Sequence, residues 1–282
     1  MKYDNKGFKI PKEKECRVII DTDAKNEADD QFAIVQAMLS PKFDNIGFIA
    51  AHYGTHRDSD SMERSYDELV KLFDLAQCPY KNIIYKGAPC ALKNNKTPIE
   101  SEGCDLIIKE ALKDDDRPLY LLFLGAITDL ASALLKEPKI SNRLTAIWIG
   151  GGNYPNGCPE FNLGNDIIAA NIVFSSKVEL WQVPKNIYEM MSISFTELLY
   201  NFKIKNKNQL GEYLFDQLVE FAQESASAHS SFRSGETWVL GDSPAVGLLF
   251  NEHRFDFDYI QAPTVGPSME YLKNPFNRMI RV

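Results

Sequence analysis

Short apolar runs alternate with stretches of helical periodicity along most of this chain. Apolar runs bounded by turn residues are typical of buried strands, whereas apolar residues spaced by three and four favour helices. The pattern predicts strands over residues 18–20, 46–51, 83–85, 119–124, 146–149 and 178–183. It predicts helices over residues 28–39, 61–76, 105–112, 128–135 and 167–174. This alternation predicts a largely parallel sheet with helices on both faces.

The pattern changes after residue 192. Residues 192–252 look mainly helical, with amphipathic stretches at 210–221 and 238–250, and residues 254–265 and 274–282 are predicted as late strands. No Gly/Ser-rich linker, low-complexity tract or repeat divides the sequence. We therefore predict one α/β domain over residues 1–282, an open and mostly parallel sheet, with residues 1–12 as an irregular lead-in.

Composition and charge narrow the possible partners. The 282 residues carry a formal net charge of −8, which argues against a nucleic-acid partner because such proteins normally show a basic patch. No apolar run is long enough to span a bilayer and no secretory leader opens the sequence. The five cysteines show no C-x-x-C spacing, so reduced structural thiols are expected. We predict a cytoplasmic protein without a membrane partner.

Five acidic residues lie between the first predicted strand and the first predicted helix: Asp21, Asp23, Glu27, Asp29 and Asp30. The carboxyl end of a strand is where ligands bind in open α/β sheets. Clustered carboxylates repel one another unless a positive charge joins them, and Ca²⁺ or Mg²⁺ prefers oxygen ligands. A solvated acidic turn that caps the helix is the alternative. Asp21 and Asp23 favour the metal site, because they precede the helix and gain little from its dipole.

Three later segments also place polar groups at strand ends or helix starts. Thr128 follows the strand at 119–124 and could simply cap the next helix. The run from Gly150 to Asn162 combines glycines, which let backbone approach a ligand closely, with amide and carboxylate groups suited to sugar hydroxyls. A polar surface loop would have the same composition. Asp242 could cap a helix or supply a distant carboxylate to the acidic cluster.

These motifs resemble, in composition and order, those of the inosine-uridine nucleoside hydrolase family. The resemblance extends from Arg17 to about His253 and rests on the segments 21–23, 29–30, 124–131, 150–152, 160–162 and 242–244. It implies a nucleoside hydrolase fold and hydrolysis of the N-glycosidic bond of a ribonucleoside or related N-riboside to ribose and base. It also implies a small-molecule substrate, a Ca²⁺ cofactor and assembly into a homodimer or homotetramer.

The resemblance implies a metal site built from four residues. Asp23, Asp30 and Asp242 would hold Ca²⁺ through their side chains, and Thr128 would hold it through its backbone carbonyl. Asp23 would also take the proton from a Ca²⁺-bound water. Asp21 would orient these ligands from behind them.

The resemblance also implies a ribose site. Asp29 and Asn162 would bind the 2′- and 3′-hydroxyls, and Glu160 with Asn153 or Asn156 would lie near the 5′-hydroxyl. A negatively charged pocket suits this chemistry, because glycosidic cleavage passes through a positively charged, oxocarbenium-like sugar.

Two departures from the family pattern mark a divergent member. The family motif D-x-D-P-G-x-D-D is here two residues longer and has the form N-E-x-D-D. Gly241 stands before the final Asp, where members that protonate a purine often carry His, so the base is not identified; His229 is a candidate for that role. Two alternatives remain open. One is a ribose- or nucleoside-binding protein without turnover, and the other is a haloacid-dehalogenase-type phosphatase using Asp21-x-Asp23.

Overall fold

The computed structural model describes residues 8–78, 81–228, 235–250 and 255–282. The strands are β1 Cys16–Thr22, β2 Phe43–Ala50, β3 Ile84–Lys86, β4 Leu119–Phe123, β5 Thr145–Ile149, β6 Glu179–Val183, β7 Ser192–Ser194, β8 Thr237–Val239, β9 Tyr259–Gln261, β10 Thr264–Val265, β11 Tyr271–Leu272 and β12 Met279–Arg281. The helices are α1 Asp30–Leu39, α2 Ser61–Leu75, α3 Glu102–Leu112, α4 Thr128–Lys136, α5 Phe161–Asn165, α6 Ile167–Ser175, α7 Lys185–Tyr188, α8 Phe195–Leu198, α9 Gln209–Ala228 and α10 Ser243–Phe250.

One eight-stranded sheet organises the fold, in the order β3-β2-β1-β4-β5-β6-β12-β9. The first seven strands of that order run parallel, and β9 pairs antiparallel with β12 at the edge. The order reverses between β1 and β4, because β1 pairs with β2 on one side and with β4 on the other. Such a reversal opens a crevice at the carboxyl ends of the two strands. The acidic loop after β1 therefore lies at the place where this sheet binds ligands.

Helices cover both faces of the sheet, because side chains of a strand alternate between faces. Val18 and Ile20 of β1 belong to a core that includes residues of α1, α2, α9 and α10. Ile19, between them, belongs to a second core that includes residues of α3, α4 and α6. All seven residues of β1 are buried, as expected for a central strand of a parallel sheet. The predicted fold class is confirmed.

The second half of the chain contains the main differences from the predicted elements. The stretch 238–250 was predicted as one helix, but it forms β8 and then α10, with Gly241-Asp242 between them. The segment 254–265 was predicted as one strand, but among its described residues β9 and β10 pair in two different sheets. Residues 192–194 are a strand in the segment predicted to be mainly helical. Apolar content alone cannot separate a buried strand from a buried helix, which explains these errors.

The remaining differences lie at element ends and in short helices. The described part of the predicted lead-in begins at residue 8, and a single helical turn starts at Lys12. The one-turn helices α5 and α7 had not been predicted. Among the described residues, no helix has both the length and the apolar character needed to cross a membrane.

Candidate active site

A small cavity of about 60 Å³ lies at the carboxyl ends of β1, β4 and β5. Most of its walls come from loops that follow strands, which is where an α/β sheet presents functional side chains. Its lining residues are Asp23, Asn26, Glu27, Asp29, Asp30, Leu124, Ile149, Glu160, Phe161, Asn162, Tyr188, Gly241 and Asp242. Five of the predicted site residues, Asp23, Asp29, Asp30, Asn162 and Asp242, therefore lie together with Glu160 around one space.

Asp23 lies on the floor of this cavity at the end of β1. The side chain is buried, and its Oδ2 has no hydrogen-bond partner among the described residues. A Cβ built on Gly125, just after β4, would stand 2.7 Å from Asp23 Oδ1. Glycine at that position therefore lets the β4 backbone pass against the carboxylate. Burial, together with Asp30 and Glu27, raises the pKa of Asp23 well above its ordinary value.

Three carboxylates from two parts of the chain meet beside Asp23. One oxygen each of Asp29, Asp30 and Asp242 lies within 4.8 Å of the others, and all three side chains are buried. Burial and the neighbouring carboxylates raise the pKa of Asp30 to about 7 and the pKa of Asp242 well above its ordinary value. Burial raises the pKa of Asp29 to about 6, although backbone N–H groups of Gly241 and Asp242 favour its charged form. No arginine or lysine of the described chain lines this cavity to neutralise them.

Asn162 is held in a single orientation at the cavity wall. Its side-chain amide donates to the carbonyl of Leu124 at 2.7 Å and to the carbonyl of Ile149 at 2.9 Å. Both acceptors are carbonyls, so the network assigns the amide nitrogen to that side. The Asn162 Oδ1 is consequently available to accept a hydrogen bond from a ligand hydroxyl.

Glu160 caps helix α5 with both carboxylate oxygens. Oε2 accepts from the backbone N–H groups of Gly151 at 2.7 Å and Leu163 at 2.8 Å. Oε1 accepts from the Asn162 N–H at 3.1 Å and from the Tyr188 hydroxyl at 3.0 Å. These four bonds occupy the carboxylate, which is 4% exposed. The structure thus gives Glu160 a positioning task that the sequence did not reveal.

We expect Glu160→Ala to lower the free energy of unfolding by about 1–3 kcal/mol, because buried N–H groups lose their acceptors. Chemical denaturation measures this change. The matched control is Glu137→Ala, since Glu137 also caps a helical turn but accepts one longer bond, 3.3 Å from the Lys139 N–H. Water can replace that bond at the surface, so we expect the control to stay within about 0.5 kcal/mol of wild type. Equal losses in the two variants would contradict the capping role of Glu160.

Thr128 does not lie where the sequence prediction required it. It is the first residue of α4, and a helix start presents N–H groups to a ligand while its carbonyls point along the helix. Its hydroxyl donates to Asp166 Oδ2 at 2.9 Å and lies 2.9 Å from His52 Nε2, away from the cavity. Leu124, four residues earlier at the end of β4, lines the cavity instead.

Three further predicted residues also lie outside the cavity wall. Asn153 is exposed and its Oδ1 accepts from the Asn186 N–H at 3.2 Å. Asn156 is exposed, and its backbone carbonyl accepts from the Tyr271 N–H at 2.8 Å. Asp21 is buried beneath the site, and burial together with Asp129 raises its pKa. The candidate His229 lies outside the described residues.

Sequence reasoning missed Tyr188, which forms one wall of the cavity. It ends the one-turn helix α7 after β6, a segment with no periodicity to mark it. A Cβ on Gly241 would stand 3.1 Å from Tyr188 Cδ2 and 3.3 Å from Asp29 Oδ2. The ring of Tyr188 thus fills the space that a side chain at position 241 would need.

Comparisons with known proteins agree with this geometry. A family model described as inosine-uridine preferring nucleoside hydrolase matches residues 18–270. An inosine-uridine preferring nucleoside hydrolase of Crithidia fasciculata is 33% identical over 99 residues, which cover 34% of this chain and 30% of that protein. A uridine nucleosidase of Saccharomyces cerevisiae is 29% identical over 155 residues, covering 51% of this chain and 43% of that protein. These alignments thus span less than half the length of either relative.

The same architecture occurs in a solved plant nucleoside hydrolase, the PpNRh1 enzyme. The two structures superpose with a TM-score of 0.71 at 20% identity, covering 95% of this chain and 87% of the other. At that level of identity the likeness establishes the fold.

Proposed function

Because the chain belongs to the inosine-uridine preferring nucleoside hydrolase family, we propose that it hydrolyses the N-glycosidic bond of a ribonucleoside or a related N-riboside. The resemblance predicted from the sequence is thereby confirmed at the level of the family. One observation carries the proposal. Four buried aspartates, Asp23, Asp29, Asp30 and Asp242, face one cavity at the reversal point of the sheet.

The donor set of this cavity fits a hard divalent cation. Asp29, Asp30 and Asp242 approach within 4.8 Å of one another, and Asp23 Oδ2 has no partner among the described residues. Buried like charges at that spacing repel one another strongly unless a cation or a proton joins them. Ca²⁺ takes carboxylate and carbonyl oxygens in flexible geometry. We assign Asp23, Asp30 and Asp242 as its ligands, with the carbonyl of Leu124 in place of Thr128.

When bound, such a cation offsets the repulsion among the carboxylates and acidifies the water that it holds. Asp23 is the residue placed to accept that proton, because its Oδ2 faces the cavity and is not engaged by any described donor. A positioned general base contributes about 10²–10⁴-fold to the rate. The water oxygen bonds to C1′ of the ribose as the C1′–N bond breaks, and the bonding electron pair leaves with the base.

The ribose is held by the groups that surround Asp23. Asn162 Oδ1 and the carboxylate of Asp29 are acceptors on the cavity wall, suited to two neighbouring sugar hydroxyls. The aspartates also stabilise the positive charge that develops on the sugar ring. With Glu160 occupied as a helix cap, Tyr188 is the polar side chain next to it that faces the ligand.

Hydrolysis in water enriched with heavy oxygen tests the reaction with inosine and uridine as substrates. We expect one labelled oxygen in the 1-hydroxyl of the released ribose and none in the base. Label in the base, or ribose release that requires inorganic phosphate, would contradict attack of water at C1′.

We expect Gly241→Ala to lower kcat/KM roughly tenfold, because its Cβ would displace Tyr188 or Asp29 by a few tenths of an ångström and misplacement of about 1 Å can cost about 10²-fold. Steady-state kinetics with inosine and uridine measure the effect. Gly247→Ala is the matched control, since no atom lies within 4 Å of its added Cβ. Equal kinetics of the two variants would show that Tyr188 and Asp29 do not define the site.

Other properties implied by the resemblance stay predictions. These are assembly into a dimer or tetramer, a cytoplasmic location, and the lack of nucleic-acid and membrane partners.

A further inference from the structure

Arg57 lies over the mouth of the cavity, in the loop between β2 and α2. Its Nη1 donates to Asn26 Oδ1 at 2.6 Å and to the Asn26 carbonyl at 3.2 Å. Its guanidinium carbon lies 5.8 Å from the centre of the Phe161 ring. Asn26 and Phe161 both line the cavity, so two of its wall residues hold the guanidinium in place.

The size of the cavity places the nucleobase at this mouth. Pockets that enclose a whole ligand of drug size measure about 300–1,000 Å³. The cavity here measures about 60 Å³, and its aspartates and Asn162 suit a ribose. The base must then extend past the wall into the open side. Phe161, which is 40% exposed, and Arg57, which is exposed, lie on that side.

The charge of the site creates a need for a cation at that position. As the C1′–N bond breaks, the electron pair moves onto the base, whose ring gains negative charge. The charged side chains that line the cavity in the described chain are all carboxylates, which would raise the energy of that anion. Arg57 approaches from outside, close enough that its positive charge lowers the pKa of Glu27.

The described histidines offer no better candidate at this mouth. Burial lowers the pKa of His52 to about 4, and its ring nitrogens are engaged by Thr128 and by the Gly54 N–H. His56 is exposed beside Arg57. His229 and His253 lie outside the described residues.

We propose that Arg57 binds the leaving base and stabilises the negative charge that develops on it. Its free N–H groups donate to acceptor atoms of the base, a geometry that the guanidinium fork provides. Arg57 keeps its own protons throughout, because its pKa lies above about 12, so the base takes its proton from solvent. Asn26, in the lengthened acidic loop, is the residue that positions Arg57. The inference rests on the proposed hydrolysis and adds the group that assists departure of the base.

Arg57→Met separates assistance of the leaving group from a structural role. The probes are inosine and uridine, which have basic leaving groups, and 4-nitrophenyl β-D-ribofuranoside, whose leaving group is weakly basic and needs little assistance. We expect kcat/KM for both nucleosides to fall by about 10²-fold, the effect of removing one charge-stabilising donor, and that for the nitrophenyl riboside to stay nearly unchanged. Arg57→Lys should restore part of the loss, because it keeps the charge without the fork.

The controls assign each outcome. Arg143→Met, an exposed arginine at the opposite end of the sheet, should leave all three rates unchanged. Equal losses for the nucleosides and the nitrophenyl riboside would show that Arg57 only supports Asn26, and would overturn the proposal. A loss on the nucleosides in His56→Ala but not in Arg57→Met would assign the role to His56 and also overturn it. If wild type cleaves the nitrophenyl riboside but neither nucleoside, assistance by Arg57 is refuted, whereas cleavage of no riboside refutes the proposed function itself.

Discussion

Replacing Asp23 by asparagine is expected to lower kcat for ribose release by about 10²–10⁴-fold, the contribution of a positioned general base. The amide is nearly the same size as the carboxylate, so the packing against Gly125 is retained. It cannot accept a proton from water, and it removes one ligand of the proposed cation. Discontinuous ribose assays of wild type and variant at saturating nucleoside measure the loss.

The fold of this variant should stay intact. Asp23 is a buried carboxylate surrounded by others, so removing its charge relieves repulsion. The melting temperature of Asp23→Asn under chelation should therefore equal or exceed that of wild type. The control is Asp114→Asn, an exposed aspartate after α3 that should change neither kcat nor stability. Wild-type turnover in Asp23→Asn would contradict its role as the base.

The stability of the chelated protein is expected to fall as pH rises from about 4 to about 8. The pKa of Asp30 is raised to about 7 and that of Glu27 to about 8, whereas in the unfolded chain both lie near 4. Between those values the folded protein keeps protons that the unfolded chain has lost. The free energy of unfolding then decreases with pH, by at most about 1.4 kcal/mol per pH unit for each such group.

Ca²⁺ is expected to reverse this trend, because it binds the ionised carboxylates. At about 100 times its dissociation constant a ligand adds about 2.7 kcal/mol to the free energy of unfolding. The rise in melting temperature on adding Ca²⁺ should consequently be larger near pH 8 than near pH 5, where protons compete for the same oxygens. Differential scanning calorimetry in chelator and in excess Ca²⁺ measures both trends.

Two variants show whether the cavity produces this behaviour. Asp30→Asn removes one buried charge, so it should be more stable than wild type in chelator near pH 8 and should lose most of the stabilisation by Ca²⁺. Asp67→Asn, an exposed substitution in α2, should behave as wild type under both conditions. A calcium effect of the same size in wild type and Asp30→Asn would place the ion elsewhere.

The sequence was informative wherever one physical pattern determined the structure. The apolar run before Asp21 and the periodicity after Asp29 predicted β1 and α1, and so placed the acidic loop at a strand end. The order of the motifs then indicated that Asp242, far away in sequence, meets that loop. The structure brings Asp242 within 4.8 Å of Asp29 and Asp30 by at least one oxygen each.

The sequence was less informative about groups that act through the backbone or through irregular loops. Thr128 and Leu124 both follow the fourth predicted strand, and only the start of α4 shows which of them can present a carbonyl to the cavity. Asn153 and Asn156 have suitable chemistry, but the path of their loop keeps them exposed. Tyr188 and Arg57 lie in segments without periodicity, and their proximity to the site depends on tertiary packing.

Release of ribose from a panel of purine and pyrimidine nucleosides, with Ca²⁺ and with chelator, tests the central claim most directly. The account predicts that at least one nucleoside yields free ribose and base in Ca²⁺ and that chelation abolishes the release. Tight binding of ribose or nucleoside without product would instead indicate a binding protein. Mg²⁺-dependent release of phosphate from an aryl phosphate, with no ribose from any nucleoside, would contradict the account in favour of a phosphatase.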